Sequence, residues 1–223
     1  MELYEVMRTT FSARDYTGEE LPDALIYELI ENARFAPSGG NRQGNRVIVV
    51  RDQTTRDALS TLSEPAAKRY VAQMKVGENP WNAWTATTVT AAEIEATRPA
   101  GMLINSFKNA SVVLVFVVDL RVVASMDQDL DRIGMISGAS IYPFVWNVLM
   151  GARQAGFGGT ITTLAAAREG DVQALLNIPA EFAVAAVVPL GKPVKQLTKL
   201  SRKSVEDIAS HERFDGVPLT KQR

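Results

Sequence analysis

The sequence predicts an α+β protein in which helices wrap a central sheet, folded as one unit over residues 1–223. Three observations predict this. Apolar runs of strand length at 46–51, 112–118 and 182–188 are separated by helical patterns of very unequal length, unlike the regular spacing of a doubly wound nucleotide fold. No Gly-x-Gly-x-x-Gly follows any of these runs, so the phosphate-binding turn of such a fold is missing. No Ser/Gly-rich or Pro-rich linker divides the 223 residues, and a chain of that length with 46% hydrophobic residues buries roughly 70% of its unfolded surface in a core.

Each element follows from local pattern. Residues 3–10 read as a short helix with Leu3, Val6 and Met7 on one side. Pro22 and Asp23 open a second helix, the proline suiting a first turn and the acid its positive end, and Leu25, Ile26, Leu29, Ile30 and Ala33 form an apolar face before the stop at Pro37. The strand at 46–51 has an uninterrupted apolar core and is expected to be buried on both faces. From Thr54 onward Leu59, Leu62, Ala66, Tyr70 and Met74 mark a long helical stretch that Pro65 should break or offset. Residues 77–100 lose periodicity, with Trp81 and Trp84 set among Asn, Thr and Pro, and are expected to form a variable cap. The Val-rich run 112–118 belongs at the sheet centre. From Ile133 to Ala152 the chain carries no charge, enough as a helix to span ~30 Å. Its Ser137, Gly138, Ser140, Pro143 and Asn147 do not suit lipid, so it reads as a central helix buried in protein. Gly156 closes that helix, 158–163 is a loop or short strand, and 171–177 is a short helix stopped before Pro179.

Composition excludes several functions. The 24 basic and 25 acidic residues are spread along the chain and leave a net charge of -1, so no long-range field favours nucleic acid or a membrane surface. Any anion site must be local. The absence of cysteine excludes thiolate nucleophiles, disulfides and iron–sulfur clusters, and the single histidine, His211, argues against a His-based metal centre or a Ser-His triad. The first residues are charged and lack an apolar segment, so no signal peptide is read and a cytoplasmic protein is expected.

The stretch best equipped to hold a ligand is Ala36-Pro37-Ser38-Gly39-Gly40-Asn41-Arg42-Gln43, where proline stops a helix, the glycines open backbone space and the polar side chains supply donors and acceptors. An arginine motif precedes it, Arg8-Thr9-Thr10-Phe11-Ser12-Ala13-Arg14-Asp15-Tyr16. A third block combines Ser140-Ile141-Tyr142-Pro143 and Asn147 with the run from Ala152 to Thr160 and with Thr162-Thr163-Leu164. A fourth holds Ile178-Pro179, Pro189-Leu190-Gly191-Lys192-Pro193 and the stretch from Ser201 to Asp207. In this order the four blocks resemble the nitroreductase family of flavoproteins, over nearly the whole chain apart from about 54–100.

The resemblance implies a nitroreductase-like fold, a central mixed, mainly antiparallel sheet flanked by helices, in an intertwined homodimer with FMN in clefts between the chains. It implies a phosphate cluster from Arg8, Arg14, Lys199 and Arg202, with Thr10 and Ser12 in the same motif; Phe11 stands where relatives often carry arginine, and Arg8 can substitute from one turn back. Pro37, Ser38, Gly39 and Asn41 resemble residues that meet the ribityl chain and ring edge. Ile161, Thr162 and Thr163 resemble the segment whose backbone faces the ring near N5, and Tyr142 and Pro143 resemble residues approaching the partner's flavin. Gly44-Asn45 replaces a usual Pro-Trp. The implied activity is hydride transfer from NADH or NADPH through the flavin to a nitroaromatic, quinone or related small acceptor, with donor and acceptor alternating on one ring face and no catalytic acid–base side chain. The competing reading is an FMN-sequestering protein whose cap closes over the flavin.

Overall fold

The computed structural model describes residues 1–221, and its layout follows from β2 (Val112–Asp119), the most apolar strand of the chain. Side chains of a strand alternate between faces, so Val112, Leu114 and Phe116 enter one core while Val113, Val115 and Val117 enter another. A strand with two buried faces is central. Here β2 pairs antiparallel with β1 (Asn45–Val50) on one side and β4 (Phe182–Gly191) on the other, and β3 (Gly158–Gly159) completes the order β1-β2-β4-β3. Val47 stands opposite Phe116, and Leu114 opposite Val188. A parallel bridge between Ser12 and Gly159 makes this mainly antiparallel sheet mixed.

Helices α2 (Asp23–Ala33) and α6 (Tyr142–Gln154) cover the first face, bringing Ile26, Leu29, Phe144, Val145 and Val148 against Leu114 and Phe116. The Phe116 and Phe144 rings meet edge to face with centroids 5.6 Å apart. Gly151 permits the close approach of α6 to α2, since a Cβ there would meet Leu29 Cδ2 at 2.9 Å. On the second face α3 (Gln53–Lys75), α5 (Gly101–Asn109) and α7 (Glu169–Leu176) contribute Leu59, Phe107 and Val172. The Ser60 hydroxyl joins two of these helices by donating to the Ile104 carbonyl at 3.0 Å. A short α1 (Leu3–Thr9) lies along α6, where Arg153 Nε donates to Thr9 Oγ1 at 3.0 Å.

The structure corrects three expectations. β1 is not buried on both faces: it is an edge strand with only β2 beside it, and Val49 is 42% exposed. An apolar run alone does not separate edge from centre. Pro65 does not break α3, which continues from Gln53 to Lys75; one missing main-chain donor is outweighed by a face of small buried side chains, Ser60, Ser63, Ala66 and Ala67. The uncharged stretch is not one helix: a 3₁₀ turn at Ile136–Ser140 precedes α6, and Pro143 stands in the first turn of α6. The stretch of poor periodicity holds α4 (Ala91–Ala96), capped by reciprocal Thr90 and Glu93 bonds, and α5 begins directly after it. No helix of the described residues is long and apolar enough to cross a membrane.

Glycine positions offer a signed test of the packing. At Gly159 a Cβ would collide with the Pro189 carbonyl oxygen and stand 2.6 Å from Leu190 Cδ2, whereas at Gly170, in α7, it would meet nothing within 4 Å. Gly159→Ala is expected to lower stability by about 1–3 kcal/mol, and Gly170→Ala to raise it by about 0.4–1 kcal/mol. Urea unfolding of both variants checks the two signs.

Candidate functional site

The site starts from a junction between the N-terminal motif and β3. Ala13 N–H donates to the Gly159 carbonyl at 3.0 Å, and Ser12 bridges the same residue. Buried Tyr16 locks the junction: its hydroxyl donates to the carbonyl of Ala13 at 2.8 Å or of Pro189 at 3.0 Å. Burial pushes that phenol well above the usual tyrosine range, against a smaller opposing pull from Arg14, so it stays neutral and a donor. Just past Gly159, Thr162 exchanges both backbone bonds with Val187, at 3.1 and 2.8 Å. Arg14 is thereby carried to the segment 160–163.

Between them lies a cleft of about 520 Å³ bordered by Arg14, Ile161, Thr162, Thr163, Tyr70 of α3 and Trp81 of the cap. Arg14 is half-buried, with a long 3.4 Å bond to the Ser12 carbonyl and no carboxylate partner among the described residues. No acidic residue borders the cleft. Neither Ile161 nor Thr163 donates its N–H to a main-chain acceptor among the described residues, unlike Thr162 between them. A recess of about 470 Å³ shares Arg14 and adds Ser12, Asn105, Asn109 and Lys195, with Asp15 its one acid. These features fit FMN: an elongated site with two cations at one end, and at the other unpartnered backbone donors beside an apolar wall.

The sequence-predicted residues fall into three groups. Ser12, Arg14, Ile161, Thr162 and Thr163 come together as described. A second group gathers on the far side of Thr163, which also borders a recess with Gly138, Ile141 and Tyr142. There the loop Pro37, Ser38, Gly39 and Asn41 is tied to the turn before α6, Gly39 N–H donating to Ser140 Oγ at 2.9 Å and Asn45 Nδ2 to the Ser140 carbonyl at 2.9 Å. Ser38 Oγ accepts from Gln43 N–H at 3.0 Å, and Gly40, Asn41 and Gln43 all take left-handed φ values of 61°, 53° and 51°. Tyr142 donates to the Ala185 carbonyl at 3.3 Å, and Pro143 occupies the first turn of α6. At Gly44, which departs from the family pattern, a Cβ would stand 2.7 Å from Val122 Cγ2.

The third group is not brought to the cleft. Arg8 is exposed on α1, Thr10 is buried with its hydroxyl donating to the Val6 carbonyl at 2.8 Å, and Lys199 and Arg202 are exposed, Arg202 bonding only the Ser201 carbonyl at 2.7 Å. Lys195, Asn105, Asn109 and Tyr70 are site residues that sequence reading missed. Only Lys195 carried a signal, lying three residues beyond Lys192 of the fourth block.

Carboxylate bonds fold the segment that carries Trp81 and tie it to α3. Glu78 accepts from Thr87 Oγ1, Thr88 N–H and Thr88 Oγ1, each at 2.7 Å, and from Gln73 Nε2 at 3.2 Å. Those donors, the Thr87 hydroxyl foremost, pull the carboxyl down to about 2.

Residues 7–192 match the profile of the Nitroreductase family, and the chain belongs to that family. Membership places it among the oxidoreductases. A "NADH dehydrogenase" of Thermus thermophilus is 44% identical over 48 residues, which is 22% of this chain and 23% of that protein. Among solved structures, iodotyrosine deiodinase bound to FMN and 3-iodo-L-tyrosine superposes with a TM-score of 0.69 at 18% identity, over 96% of this chain and 100% of that one. The NADPH:FMN oxidoreductase of Vibrio harveyi complexed with NAD+ gives 0.68 at 17% identity, over 96% and 78%. Nitroreductase A of Vibrio parahaemolyticus gives 0.66 at 15%, over 95% and 76%. At these identities the likeness speaks to the fold.

The Glu78 contacts predict an acid-sensitive cap. A carboxyl lowered in the folded state stabilises it above the ordinary value of 4.5, and the contribution is lost as pH falls toward about 2. Hydrogen exchange at the Thr88 amide is expected to lose protection across that window ahead of the amides of α6, and the pH dependence should vanish in Glu78→Gln.

Proposed function

We propose that the chain is an FMN-dependent oxidoreductase that takes hydride from NADH or NADPH and passes electrons to a nitroaromatic, quinone or related small acceptor by a ping-pong sequence. The observation that carries this is the pairing of a cation-lined recess with an acid-free cleft through the shared side chain of Arg14. FMN, when bound, supplies the hydride-accepting nitrogen N5 and holds the electron pair between donor and acceptor. Arg14 and Lys195 serve the phosphate, with Ser12 and Asn105 completing its hydrogen bonds. The free amides beside Thr162 serve the polar edge of the ring system. Tyr70, Leu103 and Leu164 keep water from its apolar part. With no carboxylate or imidazole bordering the cleft, the chain's part is to bind and orient.

The reading includes a homodimer, supported by apolar side chains left exposed on α1 and α6, Leu3, Tyr4, Met7 and Trp146, and on the C-terminal segment, Val205, Ile208 and Phe214. In that assembly the loop at 37–41, Tyr142-Pro143, Lys199 and Arg202 reach the cofactor of the other chain. Donor and acceptor share one cleft, because no separate dinucleotide-binding motif exists to seat them apart.

Three measurements test this reading. The purified protein is expected to be yellow, and anaerobic NADH or NADPH should bleach it; a protein that takes up FMN but never bleaches is a flavin-sequestering one. Arg14→Ala and Lys195→Ala should each weaken FMN by roughly 10- to 150-fold, the loss of a charge-assisted bond worth about 1.5–3 kcal/mol, while riboflavin binds as to the parent. Equal weakening toward both flavins removes the phosphate assignment. Light scattering should give twice the 24.3 kDa chain mass; a flavin-bearing monomer overturns the dimer.

A further inference from the structure

We propose that Trp81 sets the acceptor class of the cleft, as a fixed aromatic wall favouring flat aromatic acceptors over saturated molecules with the same reacting group, and that Arg69 is its positioning residue. The proposal rests on the reductase reading and deepens it. Trp81 holds its backbone at φ 56°, in the left-handed region that a bulky side chain enters only under constraint. The constraints are visible. Its N–H donates to Oε1 of buried Gln73 at 3.1 Å, its indole Nε1 donates to the Ala66 carbonyl at 3.4 Å, and the Arg69 guanidinium carbon lies 4.2 Å from the ring centroid. Gln73 is itself fixed through Glu78, so the wall and the cap are held by one network.

Arg69 has no other evident task. Its Nε is buried without a hydrogen-bond partner, and no carboxylate pairs with it among the described residues. Such a group is costly to keep, and the indole face is the partner that compensates it. Arg69 does not border the cleft; Trp81 does, still 43% exposed after these contacts. Small side chains, Ala66, Ala166 and Ala167, leave the space beside the indole open to a flat ring. Trp84, 95% exposed, lies outside this lining and serves as a control.

The test is a ligand-observed NMR titration of the protein, after incubation with FMN, with nitrobenzene and nitrocyclohexane, which share the nitro group and differ in ring flatness. Trp81→Leu should raise the Kd for nitrobenzene by about 3- to 10-fold while changing that for nitrocyclohexane by less than about 2-fold. Arg69→Ala should move the same ratio by about 2- to 5-fold, and Arg69→Lys should restore it, a recovery that a merely structural arginine does not predict. Trp84→Leu should leave the ratio unchanged. Equal change toward both ligands, or none, overturns the proposal, with unchanged thermal midpoints excluding misfolding. Bleaching by NADPH is scored separately: an unbleached protein that still loses its aromatic preference in Trp81→Leu sinks the reductase reading alone, and a bleached one with no such loss sinks the Trp81 assignment alone.

Discussion

At Gly159 two pieces of chain far apart in sequence meet across a gap with no room for a side chain. The N-terminal motif bonds to one side of it through Ala13, and β4 closes on the other through Pro189 and Leu190. Tyr16 spans the same junction, its hydroxyl reaching carbonyls on both sides and its ring resting on Gly191, where a Cβ would stand 2.8 Å from the ring. Everything that places Arg14 beside Ile161–Thr163 depends on this junction. A larger residue at either glycine would separate the cation from the backbone donors, and no substitution inside the cleft could repair that. Such an arrangement accounts for a site built largely from main chain and one guanidinium: the backbone positions are fixed by the sheet, so side-chain identity at 161–163 is loosely constrained.

A nearly neutral protein can still present a positive site if its acids are engaged elsewhere. Glu78 is surrounded by the threonine and glutamine donors of the cap, and Asp127, 3% exposed, accepts from Met135 N–H at 2.7 Å and from Arg132 Nη1 at 2.7 Å, which hold its carboxyl below the ordinary aspartate range. Both acids organise loops that flank the sheet. Asp23 holds Arg51, and Asp119 holds Arg121, on the rim. The carboxylates act as fasteners for irregular segments, which leaves Arg14, Arg69 and Lys195 without a paired acid among the described residues. Exposed pairs of this kind contribute little stability, so their value lies in where they leave the remaining charge.

The sheet, α1, α2 and the family were legible because they rest on strong local signals: the Val-rich run of β2, the apolar face of Leu25, Ile26 and Leu29, and motifs in a fixed order. What could not be read were properties of neighbours. Whether 46–51 lies at an edge or in the centre depends on which strand sits beside it, and Pro65 is tolerated because of packing that only tertiary structure supplies. At the candidate site, Ser12, Arg14 and 161–163 were singled out from motifs, and their convergence through Gly159 was not legible. Lys195, exposed like Lys199 and Arg202, borders the recess that Arg14 shares, and a basic segment without periodicity does not reveal which of its cations lies nearest that recess.

The cap shows why specificity is the least legible property of such a site. The lining contains no carboxylate and no imidazole, so the chain's influence on a ligand lies in shape, apolar surface and positive charge. Two of those are supplied by elements with clear patterns, α3 and the sheet. The third wall comes from Pro80 and Trp81, in the stretch where apolar periodicity fails. That failure has a physical cause: a segment held by side chain to backbone bonds, as between Glu78 and Thr88 or Asn82 and Thr85, needs no repeating apolar face to keep its shape. Val89 and Thr97 of this stretch are buried, but Trp81, the side chain it presents to the cleft, belongs to neither core cluster and can change while the junction at Gly159 stays the same. A cleft with one end fixed by main chain and the other by a polar loop can change its lining by altering the loop alone.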